Sequence, residues 1–215
     1  MVLNIKYPVL TIIFIICCSE LIFTQNTIKK LMPPETDGGM PLMKALMNRK
    51  TSREFNSKTL PEQVLSNLLW AANGINRTDE KKRTAPSAMN WQEIDIYLVT
   101  SEGLFIYDAL TNSLVEKSKA DIRAITGIQE FVRDAPVNLI YVADYSKMTD
   151  KTIQQKDVHA AADAAFISQN VYLFCSSEGL NTGVRGYIDK PALEKAMNLT
   201  ESQHVIFAQS VGYPK

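Results

Sequence analysis

The chain has 215 residues, 46% hydrophobic and 21% charged, with Lys+Arg and Asp+Glu equal at 23 each. That is the composition of an ordinary globular protein, long enough for one domain with a sizeable core. No global basic field exists to attract nucleic acid, so the composition gives a polyanion-binding role little support.

The first stretch, MVLNIKYPVLTIIFIICCSELIFTQN, places Lys6 before an apolar run from Tyr7 to Cys18, followed by Ser19 and Glu20. About a dozen apolar residues suit a signal peptide and fall short of the roughly 20 that a spanning helix needs. Extending the run to Phe23 would bury Glu20, at high cost. Residues 1–25 therefore read as a signal peptide cleaved near Gln25, which makes the protein exported and periplasmic. A retained anchor is the alternative, and membrane contact is expected in that case alone. The isoleucines before Cys17 and Cys18 are too bulky for a lipidation site. Removing the segment leaves Cys175 without a disulfide partner, and its setting, VYLFCSS, reads as a buried inert thiol.

Residues 26–41 carry Pro33-Pro34 and Gly38-Gly39 with no sustained period, which predicts an extended linker into a domain spanning 42–215. PLMKALMNRK predicts two helical turns, with Leu42, Ala45 and Leu46 on one face. Thr59 with Glu62 makes a capping box for a helix carrying Leu65, Leu68, Leu69 and Ala72, stopping near Gly74. EIDIYLVTSEGLFIYDALTNSLV alternates apolar and polar residues around a turn at Thr111-Asn112, which predicts strands with a hairpin. Asp121 caps a helix that Gly127 interrupts and that resumes through Phe131. PVNLIYVADY predicts a strand buried on both faces. A long helix over about 157–178, with the small-residue stretch HAAADAAF, ends at Gly179. Asp189 starts a short helix, and HVIFAQSVGYPK closes the chain as a strand. The pattern predicts an α+β protein with an antiparallel or mixed sheet.

Three segments are candidates for chemistry. NRKTSREF sets Arg49, Lys50, Thr51, Ser52 and Arg53 in a row, ending on Phe55. Guanidinium forks, an ammonium and hydroxyls suit a phosphate ester, although a solvated loop has the same composition. PSAMNWQ gathers Pro86, Ser87, Asn90 and Gln92 before a strand, where the amides fit either the edge of a planar heterocycle or a polar turn. EGLNTGVRGYID exposes backbone N–H groups at its glycines, or is a helix stop and turn. His159 and His204 belong to no metal-ligand spacing and read as structural. Nucleophile elbows, phosphate-binding loops and dinucleotide fingerprints are missing, so a catalytic role would take its chemistry from a cofactor.

In order, R-x-[ST]-x-R-x-F as Arg49 to Phe55, LLWAANGINR, the P-S-x-x-N-x-Q segment as Pro86 to Gln92, FVRDAPVNLIYVAD, the small-residue helix ending in Gly179-Leu180, and VGYPK resemble the FMN-dependent nitroreductase family. LLWAANGINR and RTAPSAMN are most similar to the branch that includes azoline-forming peptide dehydrogenases and exported homologues. The resemblance covers residues 42–215.

The resemblance implies a three-layer α+β sandwich, a central mixed or antiparallel sheet flanked by helices, working as an intertwined homodimer with two FMN sites at its interface. It assigns the FMN phosphate and ribityl chain to Arg49, Lys50, Thr51 and Arg53, and the second flavin motif to Pro86, Ser87 and Asn90, with Asn90 near the isoalloxazine edge. Arg185 and Gly186 match the stretch whose backbone N–H faces flavin N5 and O4, and Lys215 falls where a basic residue reaches phosphate. The implied activity is ping-pong transfer through flavin N5 to a small organic acceptor, with NAD(P)H as a possible donor and no catalytic side chain. Export would remove the chain from NAD(P)H, which leaves a membrane or periplasmic reductant open. A flavin-dependent dehydrogenase of a modified peptide or small molecule, and a flavin-binding protein without turnover, stand as alternatives.

Overall fold

The computed structural model describes residues 27–215, so the signal or anchor segment expected at 1–25 lies outside the described residues. The strands are β1 (Ile28–Lys30), β2 (Ile75–Arg77), β3 (Lys82–Arg83), β4 (Ile94–Thr100), β5 (Gly103–Asp108), β6 (Ser113–Ser118), β7 (Val137–Asp144), β8 (Asn181–Arg185) and β9 (Gln203–Gly212). The α-helices are α1 (Leu42–Asn48), α2 (Glu62–Asn73), α3 (Ile153–Glu178) and α4 (Lys190–Ala196). Seven strands make one sheet in the order β1-β6-β5-β4-β7-β9-β8, while β2 and β3 form a separate hairpin. Every pairing in the large sheet is antiparallel, so no parallel strand makes it mixed.

Side chains alternate faces along a strand, and here both faces are apolar. Ile96, Leu98, Leu139 and Tyr141 point to one side, where they join Leu68 and Leu69 of α2 and Ala160 and Ala164 of α3. Tyr97, Val99, Ile140 and Val142 point to the other, against Leu193 of α4. Helices on both sides of the sheet give the three layers. Leu68 and Leu69 are fully buried, each contributing about 1.5–3 kcal/mol by area removed from water.

The expected central strand, the turn at Thr111-Asn112, the long helix and the short helix capped by Asp189 are all present, the last with Asp189 accepting the Ala192 N–H. The long helix starts four residues before the expected 157, because Thr152 and Gln155 form a reciprocal capping box. Gly179 ends it in the left-handed conformation, φ 68°, where glycine is the easy choice. Thr59 does not cap α2; Pro61 is its N-cap and no side chain closes the first turn. The helix expected after Asp121 is replaced by two short 3-10 turns, Arg123–Ile125 and Glu130–Arg133. Part of the expected linker is a strand: β1 pairs with β6, and the Ser66 hydroxyl donates to the Met32 carbonyl. The expected glycine turn after α3 contains β8, the sheet's far edge.

Candidate functional site

Past Asn48 the chain leaves α1 and lies against the free edge of β8. The Ser52 N–H donates to the Thr182 carbonyl at 2.9 Å, and Asn181 Nδ2 donates to the Glu54 carbonyl at 2.7 Å. Tyr172 of α3 joins the two segments, accepting the Val184 N–H at 3.0 Å and sharing a 2.9 Å bond with Thr51 Oγ1. Gly183 permits this approach, since a Cβ there would meet the Ser52 carbonyl at 3.0 Å. Phe55 closes the segment by burying its ring 6.0 Å from that of Phe131.

This docking gathers cations. The Arg49 guanidinium lies over the Tyr172 ring, 5.3 Å from its centroid. Lys50 and Arg53 are exposed, and among the described residues the ion pairs include none of Arg49, Lys50 and Arg53. Asn56 ties down the C-terminus through the Tyr213 and Pro214 carbonyls, which brings Lys215 to the same end of β8. Arg49, Lys50, Thr51, Arg53 and Lys215 are thus assembled in one region.

From there a cleft follows β8 and α3. A cavity of about 260 Å³ is lined by Lys50, Tyr172, Ser176, Thr182 and Pro214. A second, of about 310 Å³, is lined by Ser168, Gln169, Tyr172, Val184, Gly186 and Phe207. Tyr172 belongs to both. Ala165, Ser168, Gln169 and Tyr172 follow the i, i+3, i+4, i+7 spacing of one helix face, which makes the wall continuous. Thr182 and Gly186 are roughly 13 Å apart along the extended backbone. The shape suits an elongated ligand with an anionic end and a flat end.

Arg185 and Gly186 stand at the second cavity, but their parts differ. The Arg185 side chain is buried, donating to Thr126 Oγ1 at 2.9 Å, Asn138 Oδ1 at 2.8 Å and Ser210 Oγ at 2.7 Å. Burial lowers its pKa to about 10, so it stays charged at neutral pH. Its guanidinium serves the sheet and Arg185 pairs with Ala208 of β9, which leaves the exposed Gly186 at the cleft.

Pro86, Ser87 and Asn90 lie elsewhere. They line a separate cavity of about 230 Å³ with Arg83 and Gln92, and it shares no lining residue with the cleft. Within one chain, the structure does not join them to Arg49 and its neighbours. Ser87 Oγ accepts the Gln92 N–H at 2.8 Å and donates to Glu93 Oε2 at 3.2 Å, so this hydroxyl is committed to the turn. Gln92, expected as a candidate for a heterocycle edge, is likewise engaged, with Arg83 Nε and the Lys81 carbonyl. Asn90 is exposed, its Oδ1 accepting from Gln92 Nε2 at 3.1 Å. Met89, Asn90 and Gln92 all have positive φ, at 52°, 55° and 49°, a costly conformation for side-chain-bearing residues.

Beneath this turn is a carboxyl pair that sequence reasoning missed. Glu93 is fully buried and Asp163 is 3% exposed. Burial, with the Asp163 charge adding to it, pushes the Glu93 carboxyl up to about 7. A single acidic residue before an apolar strand carries no distinctive pattern. Tyr172 was also missed, although a tyrosine on the buried face of a helix needs a partner for its hydroxyl, and that need was a usable signal. His159 meets Trp91 edge-on and His204 lies against Tyr145, both in aromatic contacts. Cys175 is buried, and burial raises its thiol pKa far above the ordinary value, as an inert thiol requires.

A model of the nitroreductase family matches residues 46–213. A proposed nitroreductase of Methanocaldococcus jannaschii is 30% identical over 148 residues, covering 64% of this chain and 74% of that protein. The crystal structure of a proposed nitroreductase from Ralstonia eutropha JMP134 is 38% identical with a TM-score of 0.85, covering 89% of this chain and 91% of that one. The NADPH:FMN oxidoreductase of Vibrio harveyi, complexed with NAD+, shares the fold at 18% identity and a TM-score of 0.61, covering 81% of this chain and 69% of that one.

Proposed function

The chain belongs to the nitroreductase family, and on that premise we propose that it is an FMN-dependent oxidoreductase acting on a small organic acceptor. The observation that carries this reading is the cleft along β8, with cations at one end that no ion pair among the described residues contains and an open cavity at the other. The donor set fits FMN: Arg49, Lys50, Arg53 and Lys215 supply the charge and N–H donors that a phosphate monoester takes. Thr51 is held beside them by Tyr172.

In this reading FMN, when bound, supplies the redox chemistry, taking electrons from a donor and giving them to an acceptor in alternation. The chain contributes orientation and electrostatics. The cations would neutralise the phosphate, and α3 with Phe207 would wall the flat end. The Gly186 backbone N–H would be the donor available to negative charge on the ring. NAD(P)H is the donor to test first, as an expectation carried by the family. If residues 1–25 direct export, as we also propose, a periplasmic or membrane reductant takes its place.

We propose further that the protein is a homodimer. On α3, Val158, Ala162, Ala165, Phe166 and Gln169 form an outward stripe at helical spacing, with Val158 68% and Phe166 49% exposed. Met43 and Met47 of α1 are exposed as well. We propose that a second copy on this surface supplies its 86–90 turn to the cleft, since one chain leaves the two apart. The test is to purify the protein from its native compartment, record its spectrum, and reduce it anaerobically with candidate donors. Noncovalent FMN, released on denaturation and reoxidised by nitroaromatics or quinones, is expected. FAD, or no flavin after reconstitution with excess FMN, would overturn the reading. Bound FMN that passes electrons to nothing would favour a non-catalytic flavin protein.

A further inference from the structure

The Glu93–Asp163 pair has no part in the flavin chemistry proposed above, yet it sits directly under the turn that carries Asn90. Asp163 Oδ2 accepts the Ala88 N–H at 2.8 Å. Glu93 Oε2 accepts from the Ser87 hydroxyl, whose oxygen in turn accepts the Gln92 N–H. The two carboxyls thus hold both ends of the segment in which Met89, Asn90 and Gln92 adopt left-handed conformations. Glu93 Oε1 is buried without a hydrogen-bond partner among the described residues, a costly setting for a charged carboxylate oxygen.

No cation offsets the pair among the described residues, since none of their ion pairs contains Glu93 or Asp163. Two ionised carboxylates side by side in a dry site repel, and one proton held between them removes that penalty. We propose that Glu93 and Asp163 share a single proton and act as a latch that positions the 86–92 turn for the flavin. This rests on the assignment of that turn to the flavin site. Raising the pH releases the proton to solvent and leaves two negative charges facing each other, and the turn loosens.

Other charged groups stand close enough to require controls. Tyr145 follows β7, within electrostatic reach of Glu93, and its hydroxyl donates to Asp157 while Lys156 Nζ donates to its carbonyl. His159 of α3 and Lys151 flank Trp91. Arg83 and Lys147 reach the turn through Gln92. Of these, His159, an imidazole packed edge-on against Trp91 of the turn, is the control for a competing effect.

The latch has a defined sign. The Glu93 carboxyl is raised from its ordinary value, so the proton is held below about 7 and lost above it. FMN affinity of the wild type, read by flavin fluorescence, should therefore fall about tenfold between roughly pH 6 and pH 8.5. Glu93→Gln keeps a neutral hydrogen-bonding group and should bind FMN with a flat profile, and His159→Asn should keep the wild-type slope. A slope retained in Glu93→Gln, or lost in His159→Asn, would overturn the latch. The infrared spectrum decides the same point without flavin. A carboxylic C=O band present at the lower pH, lost at the higher, and missing from Glu93→Gln supports the shared proton. A wild type with no such band overturns it, whereas failure to bind FMN at any pH counts against the flavin reading alone.

Discussion

Thr51 Oγ1 and the Tyr172 hydroxyl are 2.9 Å apart, and through this contact a surface segment rich in cations is held against the sheet edge. The same hydroxyl accepts the Val184 N–H, so one atom fixes both walls of the cleft. Tyr172→Phe keeps the ring under Arg49 and removes the link. The Val184 N–H loses its partner, and the expected loss of stability is about 1–2 kcal/mol, read from the denaturant midpoint. FMN affinity should weaken as Thr51 drifts. A variant with unchanged stability and affinity would show that Ser52 and Gly183 hold the segment without help.

Arg53 tests the phosphate assignment most directly, since it is exposed and has no ion-pair partner among the described residues. A charge-assisted contact to phosphate contributes about 1.5–3 kcal/mol. Arg53→Ala should therefore lose about ten- to a hundredfold in FMN affinity at about 1.4 kcal/mol per decade, with the melting temperature of the flavin-free protein unchanged. Fluorescence titration measures the first and thermal unfolding the second. Unchanged affinity would return the segment to an ordinary charged loop.

Arg185 should behave in the opposite way. Its guanidinium is buried and donates to Thr126, Asn138 and Ser210, and no ion pair among the described residues contains it. Arg185→Met strands those acceptors and should destabilise the fold by about 3 kcal/mol or more, as seen in the urea midpoint. Lysine should rescue little, because one ammonium does not reproduce the fork. If Arg185→Met lost FMN while keeping its stability, the side chain would have a cofactor role that its buried contacts give no reason to expect.

These residues also show how far the sequence alone reached. The unbroken apolar run of β7 and the long pattern of α3 depend on periodicity and were legible. β1 and β8 were not, because each is a short edge strand whose identity comes from a distant partner, β6 or β9. Thr59 had the right residue three positions from Glu62, but Pro61 set the helix start. In the candidate site, Arg49, Lys50, Thr51 and Arg53 are contiguous and could be seen as a group. Tyr172 lies 121 residues from Thr51 and Asp163 lies 75 from Ala88, and only folding brings them together. Arg185 was marked at the right place, but its side chain belongs to the sheet and not to the ligand.

Assembly is the remaining test, and Phe166 is the residue to change. It is half exposed on the outer face of α3, so Phe166→Glu should leave the fold of a single chain intact, with a circular dichroism spectrum like the wild type's. A charge placed in an apolar interface costs several kcal/mol when the interface closes, and the variant should run at half the wild-type mass in light scattering or sedimentation. Because the proposed flavin site takes the 86–90 turn from the second copy, FMN should stabilise the wild-type dimer by mass action, and the dissociated variant should bind FMN poorly even though Arg49, Lys50 and Arg53 are untouched. The two measurements belong together. A Phe166→Glu dimer would move the interface away from α3, and a monomer that binds FMN as tightly as the wild type would mean that one chain suffices, with the 86–90 turn serving some end other than the flavin.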